Sequence, residues 1–269
     1  MFRSISLPMY DFTELQAATR SVLDAIASAV RELGDDAQVG EPDSSNHAAL
    51  MALWGGSEMY LSQSCGQPYI EVLKTSVDVL GTWLWRGVSD SRGHYQSVIV
   101  VRSDCVATQP SELAGAQPVI SNPQSLSGWC SLGVALSQVT SDPNFVLPYL
   151  VSGGHVGSLQ LLQDEVADVA SIDSATLQIL SRVRPQLVRG LRVIGSGPLV
   201  PATPLIVSKA RGAQLADLRA ALHRIVADQH LAAALAAIGI VGFVDLDGAD
   251  YEMVGDLIRT AETVLPRRG

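Results

Sequence analysis

Two short strand-like runs in this chain each pass into a small, hydroxyl-rich turn and then into a helix. The turns are Asn122-Pro123-Gln124-Ser125-Leu126-Ser127-Gly128 and Gly154-His155-Val156-Gly157-Ser158, and a further run, Ala167–Asp173, follows them. A helix that opens on Ser, Gly or His presents unpaired backbone N–H groups and the positive end of its dipole. Two such openings aimed at one point make an anion site that needs neither lysine nor arginine.

The same alternation of strand and helix organises the rest of the chain. Ile5–Met9 reads as a buried strand, after which Asp11 caps a helix, with Glu14 completing a capping box. Leu15, Ala18, Val22, Ile26, Ala29 and Val30 recur at helical spacing, and Gly34 ends the helix. Further helices are expected at 47–54, within 64–73, near 127–138, from His155, and over 175–183, 213–227 and 249–264. Strands are expected at 58–63, 77–85, 95–102, 118–121, 149–152, 166–172, 191–196, 205–208 and 240–244. Such alternation predicts α/β layers built on mostly parallel sheets. Gly, Pro and polar residues punctuate 85–95 and 197–203, which are read as crossings between two lobes. The first lobe is then discontinuous, 1–90 plus 200–269, with the second, 91–199, inserted.

Length and composition narrow the function. A chain of 269 residues is comfortable as two lobes, and 47% hydrophobic against 17% charged residues describes a well-packed globular protein. The net charge of −9 argues against nucleic acid and against an anionic membrane surface. It does not oppose a small anion, because aligned N–H groups set the local field. Cys65, Cys105 and Cys130 form no disulfide framework or CxxC pair, and the five histidines show no ligand spacing, so no metal is expected. Ser152–Ser158 fails the G-x-G-x-x-G spacing and lacks the lysine of a P-loop, and no G-x-S-x-G turn occurs, so no cofactor and no serine nucleophile are expected. The apolar stretch from Leu231 to Val244 is too short to span a bilayer.

Leu7-Pro8-Met9-Tyr10-Asp11, Leu61-Ser62-Gln63-Ser64-Cys65-Gly66, Tyr95-Gln96-Ser97-Val98-Ile99-Val100-Val101-Arg102 and the two helix-opening turns occur in one order along the chain. In that order they resemble the phosphate/phosphite/phosphonate-binding family of ABC-transporter solute receptors, of the type II periplasmic-binding-protein fold. The resemblance runs from Leu7 to about Tyr251. It implies two α/β lobes, each with a sheet flanked by helices, that close on an oxyanion in the cleft between them. On the matching positions, Ser125 and Ser127 would grip ligand oxygens, and His155 and Ser158 would stand at the next helix start. Asp173 would lie near the hinge, and Tyr10, Ser62 and Gln63 would face the cleft from the first lobe. Gly154 stands where the family has serine and Gln67 where an aromatic is common, and Trp129 follows the Ser-Gly turn.

Each of these residues also has a purely structural reading. Ser125 and Ser127 can be helix caps, His155 a cap or surface residue, and Asp173 the N-cap of the helix from Ser174. As a ligand group, Asp173 would accept from a protonated ligand oxygen and favour a singly protonated phosphate or phosphonate. Tyr10 either hydrogen-bonds a ligand or wedges the lobes, with the same balance for Gln63. Cys65 is read as a small buried residue, and Trp54, Trp83 and Trp85 as packing.

The expectation is a non-catalytic binding protein for a small oxyanion, with an ABC permease as partner and no nucleic acid or membrane insertion. The alternatives are a cytosolic enzyme on the same fold, using His155, Asp173 and Cys65, and an intracellular ligand sensor. Met1–Tyr10 shows no signal peptide, which reads as cytoplasmic for the printed start, or periplasmic or extracellular if that start is incomplete.

Overall fold

A computed structural model describes residues 3–44 and 46–267. The chain falls into two compact units, Met1–His94 with Pro201–Glu252, and Tyr95–Val200 with Met253–Gly269. Strands and helices are numbered along the chain.

In the first unit, strands β1 (Arg3–Ile5), β2 (Ala37–Val39), β3 (Met59–Gln63), β4 (Val77–Trp85), β12 (Pro204–Ser208) and β13 (Ile240–Val244) form one sheet in the order β13-β4-β12-β3-β1-β2. Short strands β5 (His94–Tyr95) and β11 (Val200–Pro201) stand where the sequence passes from one unit to the other. Helices α1 (Gln16–Glu32), α2 (His47–Gly55), α3 (Gly66–Pro68), α7 (Leu215–Ala227) and α8 (Ala232–Ile238) belong to this unit. The periodic face of α1 buries Val22, Leu23, Ile26 and Val30, each worth about 1.5–3 kcal/mol when removed from water. Gly34, at φ 85°, ends that helix in the left-handed region that other residues avoid. Trp54, Tyr69, Leu73, Ile206 and Tyr251 share one hydrophobic core, with Tyr69 and Tyr251 edge to face at 5.6 Å.

The second unit holds the five-stranded sheet β10-β6-β9-β7-β8, from β6 (Ser97–Arg102), β7 (Pro118–Ile120), β8 (Leu150–Val151), β9 (Val169–Asp173) and β10 (Leu191–Ser196). Its helices are α4 (Ser131–Ser137), α5 (His155–Gln163), α6 (Ser174–Val183) and α9 (Met253–Val264). A wide, π-helical turn, Leu126–Cys130, leads into α4.

Four expectations need correction. First, the sheets are mixed and not mostly parallel. β1 pairs in parallel with β2 and β3, as β7 does with β8 and β9, while β12, β4, β13, β6 and β10 make antiparallel pairs. Strand–helix alternation constrains the crossovers but not the strands that return to a sheet from a distant part of the chain. Second, the first strand stops at Ile5, because Pro8 opens a 3-10 turn over Pro8–Tyr10. Third, this turn leaves Asp11 outside the following helix. A second 3-10 turn, Thr13–Leu15, starts after Phe12 with no side-chain cap, so the capping box does not form. Fourth, the described residues from Met253 onward pack with the second unit, although the sequence reading gave all of 200–269 to the first. Gly133 of α4 lies so close to Ala261 of α9 that an added Cβ would stand 2.6 Å from the Ala261 Cβ. In addition, α8 stands where only an uncharged apolar stretch was noted.

Candidate oxyanion site of the second unit

The chain leaves β7 at Ser121 and turns through Asn122, whose side-chain oxygen accepts the Gln124 N–H at 2.8 Å. Ser125 is extended, and its Oγ accepts the Gly128 N–H at 2.9 Å, an N-cap on the turn that follows. The Ser125 carbonyl takes both the Trp129 and the Cys130 N–H at 3.0 Å. This one turn of π geometry widens the helix start, a distortion frequent at functional sites. Gly128 is needed there, because a Cβ would come within 2.2 Å of the Ser121 Oγ.

The second opening is fastened to the first. Ser152 and Gly153 donate their N–H groups to the carbonyls of Ile120 and Ser121 at 2.9 and 2.8 Å. Ser152 Oγ lies 3.1 Å from the Ile120 carbonyl oxygen and 2.7 Å from Ser158 Oγ. The turn is thereby braced from both sides. His155 begins α5, and its Nε2 stands 2.8 Å from Ser127 Oγ. The two helix openings singled out in the sequence are therefore joined by a hydrogen bond between their own side chains.

Asp173 ends β9, and its Oδ1 accepts the Thr176 N–H at 2.7 Å as the N-cap of α6. Its carboxylate is also the charge whose field reaches His155. Burial holds the imidazole below its ordinary pKa, with Asp173 pulling the other way. The imidazole is thus neutral at pH 7, which fits a site of neutral donors.

Of the residues named from the sequence, Ser127 and His155 are brought into contact and Asp173 into electrostatic range. Ser125 is used on Gly128, and Ser158, fully buried, is used on Ser152. The first-unit residues hold their own unit together. Tyr10 is buried, with its ring 4.2 Å from that of Trp85. Ser62 Oγ accepts the Trp54 indole N–H at 3.2 Å and lies 2.9 Å from Ser6 Oγ. Gln63 donates through Nε2 to Thr203 Oγ1 at 2.9 Å.

Sequence reading missed four serines of the second unit. Ser97, Ser121, Ser131 and Ser171 are buried, and their hydroxyls have no hydrogen-bond partner among the described residues. Ser97 pairs with Asp173 across the β6–β9 ladder, and Ser171 pairs with Ile99 two places along. These hydroxyls therefore share a sheet face with Asp173. Ser97 and Ser171 are each the single serine of their strand, so no repeating pattern marked them in the sequence. Among the described residues no group of His, Cys, Asp or Glu is arranged to hold a metal ion.

The profile of a family described as ABC transporter, phosphonate, periplasmic substrate-binding protein matches residues 7–251. Among solved structures, PhnD1 of Prochlorococcus marinus in complex with methylphosphonate superposes at a TM-score of 0.77, with 12% identity over 98% of this chain and 99% of that one. A binding-protein component of the phosphonate transporter of Pseudomonas aeruginosa gives 0.77, with 16% identity over 97% and 87%. XAC2383 of Xanthomonas citri bound to ATP gives 0.73, with 16% identity over 98% of both chains. No curated protein matches the sequence. The likeness to these structures shows the type II periplasmic-binding-protein fold. On the extent of the family match, this chain belongs to the phosphonate-type substrate-binding proteins of ABC transporters.

Proposed function

We propose that this chain is a non-catalytic receptor for a small phosphorus oxyanion such as phosphate, phosphite or a phosphonate, and that it delivers this ligand to an ABC permease. The observation that carries the reading is the 2.8 Å contact between Ser127 and His155. It draws together two helix openings whose backbone N–H groups and hydroxyls are hydrogen-bond donors. Family membership and the methylphosphonate complex of the Prochlorococcus relative support the ligand class. Ser127 and the backbone N–H groups of the two openings would hold the anion oxygens. Asp173, an acceptor, would favour a ligand that keeps one acidic proton, since an ionised carboxylate repels a dianion. Delivery to a permease implies work on the outer side of the cytoplasmic membrane.

Isothermal titration of the purified chain with phosphate, phosphite and methylphosphonate tests the reading. Saturable binding of at least one, lost in Ser127→Ala, is expected. Folded protein that binds none of them would refute it, and turnover of any of them would favour an enzyme.

A further inference from the structure

The contact between His155 and Ser127 has a direction that the geometry and the ligand's charge decide together. Nε2 lies 2.8 Å from Ser127 Oγ, and Nδ1 is buried with no hydrogen-bond partner among the described residues. A neutral imidazole carries one N–H. If that proton sits on Nδ1, the Ser127 hydroxyl must donate to Nε2, and its lone pairs are all that remain for a ligand. If it sits on Nε2, the imidazole donates to Ser127, whose own proton is free to donate onward. The unprotonated oxygen of an anion accepts and cannot donate, so such an oxygen at Ser127 selects the second arrangement.

We propose that His155 is a positioning residue for anion binding: its Nε2–H orients Ser127 so that the serine hydroxyl donates to the oxyanion, and its Nδ1 takes up a proton from solvent as the anion binds. The inference rests on the oxyanion reading above and adds to it a coupling between ligand and proton. Asp173, at the end of β9, is the charged group whose field reaches His155. Of the other groups on elements packed against α5, Arg102 of β6 donates to the Ala167 carbonyl and pairs with Asp104 and Asp168, and Cys130 closes the π-helical turn. Without ligand, burial keeps the imidazole neutral. A bound anion places a second negative charge near it, and an opposite charge at 4–6 Å raises such a pKa by about one to three units. Coupling is reciprocal, so protonation of His155 strengthens anion binding by the same factor.

The experiment measures methylphosphonate affinity of the full chain from pH 8.5 to pH 5.5 in wild type, His155→Gln, His155→Ala, Ser127→Ala and the double alanine variant. The ligand's own ionisation affects every variant alike, so differences between profiles isolate His155. Wild type should gain roughly tenfold or more in affinity over His155→Gln on acidification, one pKa unit being a tenfold change. At pH 8.5 His155→Gln, whose amide can still donate to Ser127, should recover part of the loss seen in His155→Ala. His155→Ala should cost little further in the Ser127→Ala background. Parallel profiles for wild type and His155→Gln, or an undiminished His155→Ala loss without Ser127, would overturn the inference and leave the receptor reading intact. Failure of wild type to bind any oxyanion at any pH would overturn both. Should the His155 variants unfold, NMR titration of His155 in wild type decides instead, with the pKa rising on saturation with methylphosphonate if the inference holds and unmoved if it does not.

Discussion

The indole N–H of Trp129 donates to the carbonyl of Leu265 at 3.0 Å, and the Arg267 guanidinium lies 4.9 Å from the centre of the same ring. Trp129 stands in the turn that opens the candidate site, and Leu265 follows the last helix. The segment just after the last helix is thus part of the second unit's scaffold. Trp129→Phe leaves a buried carbonyl without its donor, and a loss of about 1–3 kcal/mol is expected in urea unfolding.

Gly133 makes the second point of the same contact. A Cβ there would stand 2.6 Å from the Ala261 Cβ and 2.8 Å from its Cα. Gly133→Ala should therefore destabilise by about 1–3 kcal/mol, against the small gain that glycine-to-alanine brings in an unhindered helix. Combining it with Ala261→Gly should recover part of the loss, and thermal unfolding of the two variants checks this.

Ser62 separates a ligand role from a structural one. Its hydroxyl accepts from Trp54 and contacts Ser6 in a fully buried position. Ser62→Ala is expected to lower stability by about 1–3 kcal/mol, because the Trp54 N–H is left unsatisfied. Calorimetry with oxyanions run beside the melt would show a ligand role if affinity fell while stability held.

Asp173 carries the α6 cap through Thr176. Asp173→Ala should cost about 1 kcal/mol of stability, and Asp173→Asn, which can still accept that N–H, clearly less. If the carboxylate disfavours dianions, both variants should also shift anion preference toward the doubly charged form, visible as a gain in affinity at high pH.

Burial of His155 makes the ligand-free protein sensitive to acid. The imidazole's folded pKa lies below the ordinary 6.5 it regains on unfolding, so below that pH the unfolded chain binds the extra proton. The stability that His155 contributes is present above pH 6.5 and is lost as pH falls through the folded value. Denaturation midpoints between pH 8 and pH 5 should therefore fall more steeply for wild type than for His155→Gln.

Much of the secondary structure was legible because each element carries its own period. Val77–Trp85, Leu191–Ser196 and Ile240–Val244 form as strands over the residues expected of them, and α5 begins at His155 as its turn foretold. Boundaries slipped where a local steric rule intervened, as when Pro8 broke the first strand and displaced Asp11 from its helix. The inward-facing serines were hidden for a different reason: a hydroxyl at one strand position carries no mark of what lies opposite it. Ser97 acquires meaning only through its pairing with Asp173, 76 positions along.

What the sequence determined by itself was the alternation of strand and helix, the two hydroxyl-rich helix openings and a family resemblance that the profile match makes plain. Those features are local, since helix starts, turns and periodicity are fixed by neighbours within a few residues. The tertiary structure alone decided that the sheets are mixed, that the last helix belongs with α4, and that Ser127 meets His155 across 28 positions. Such pairings depend on which surfaces pack together, and packing is a property of the folded chain that no short segment carries.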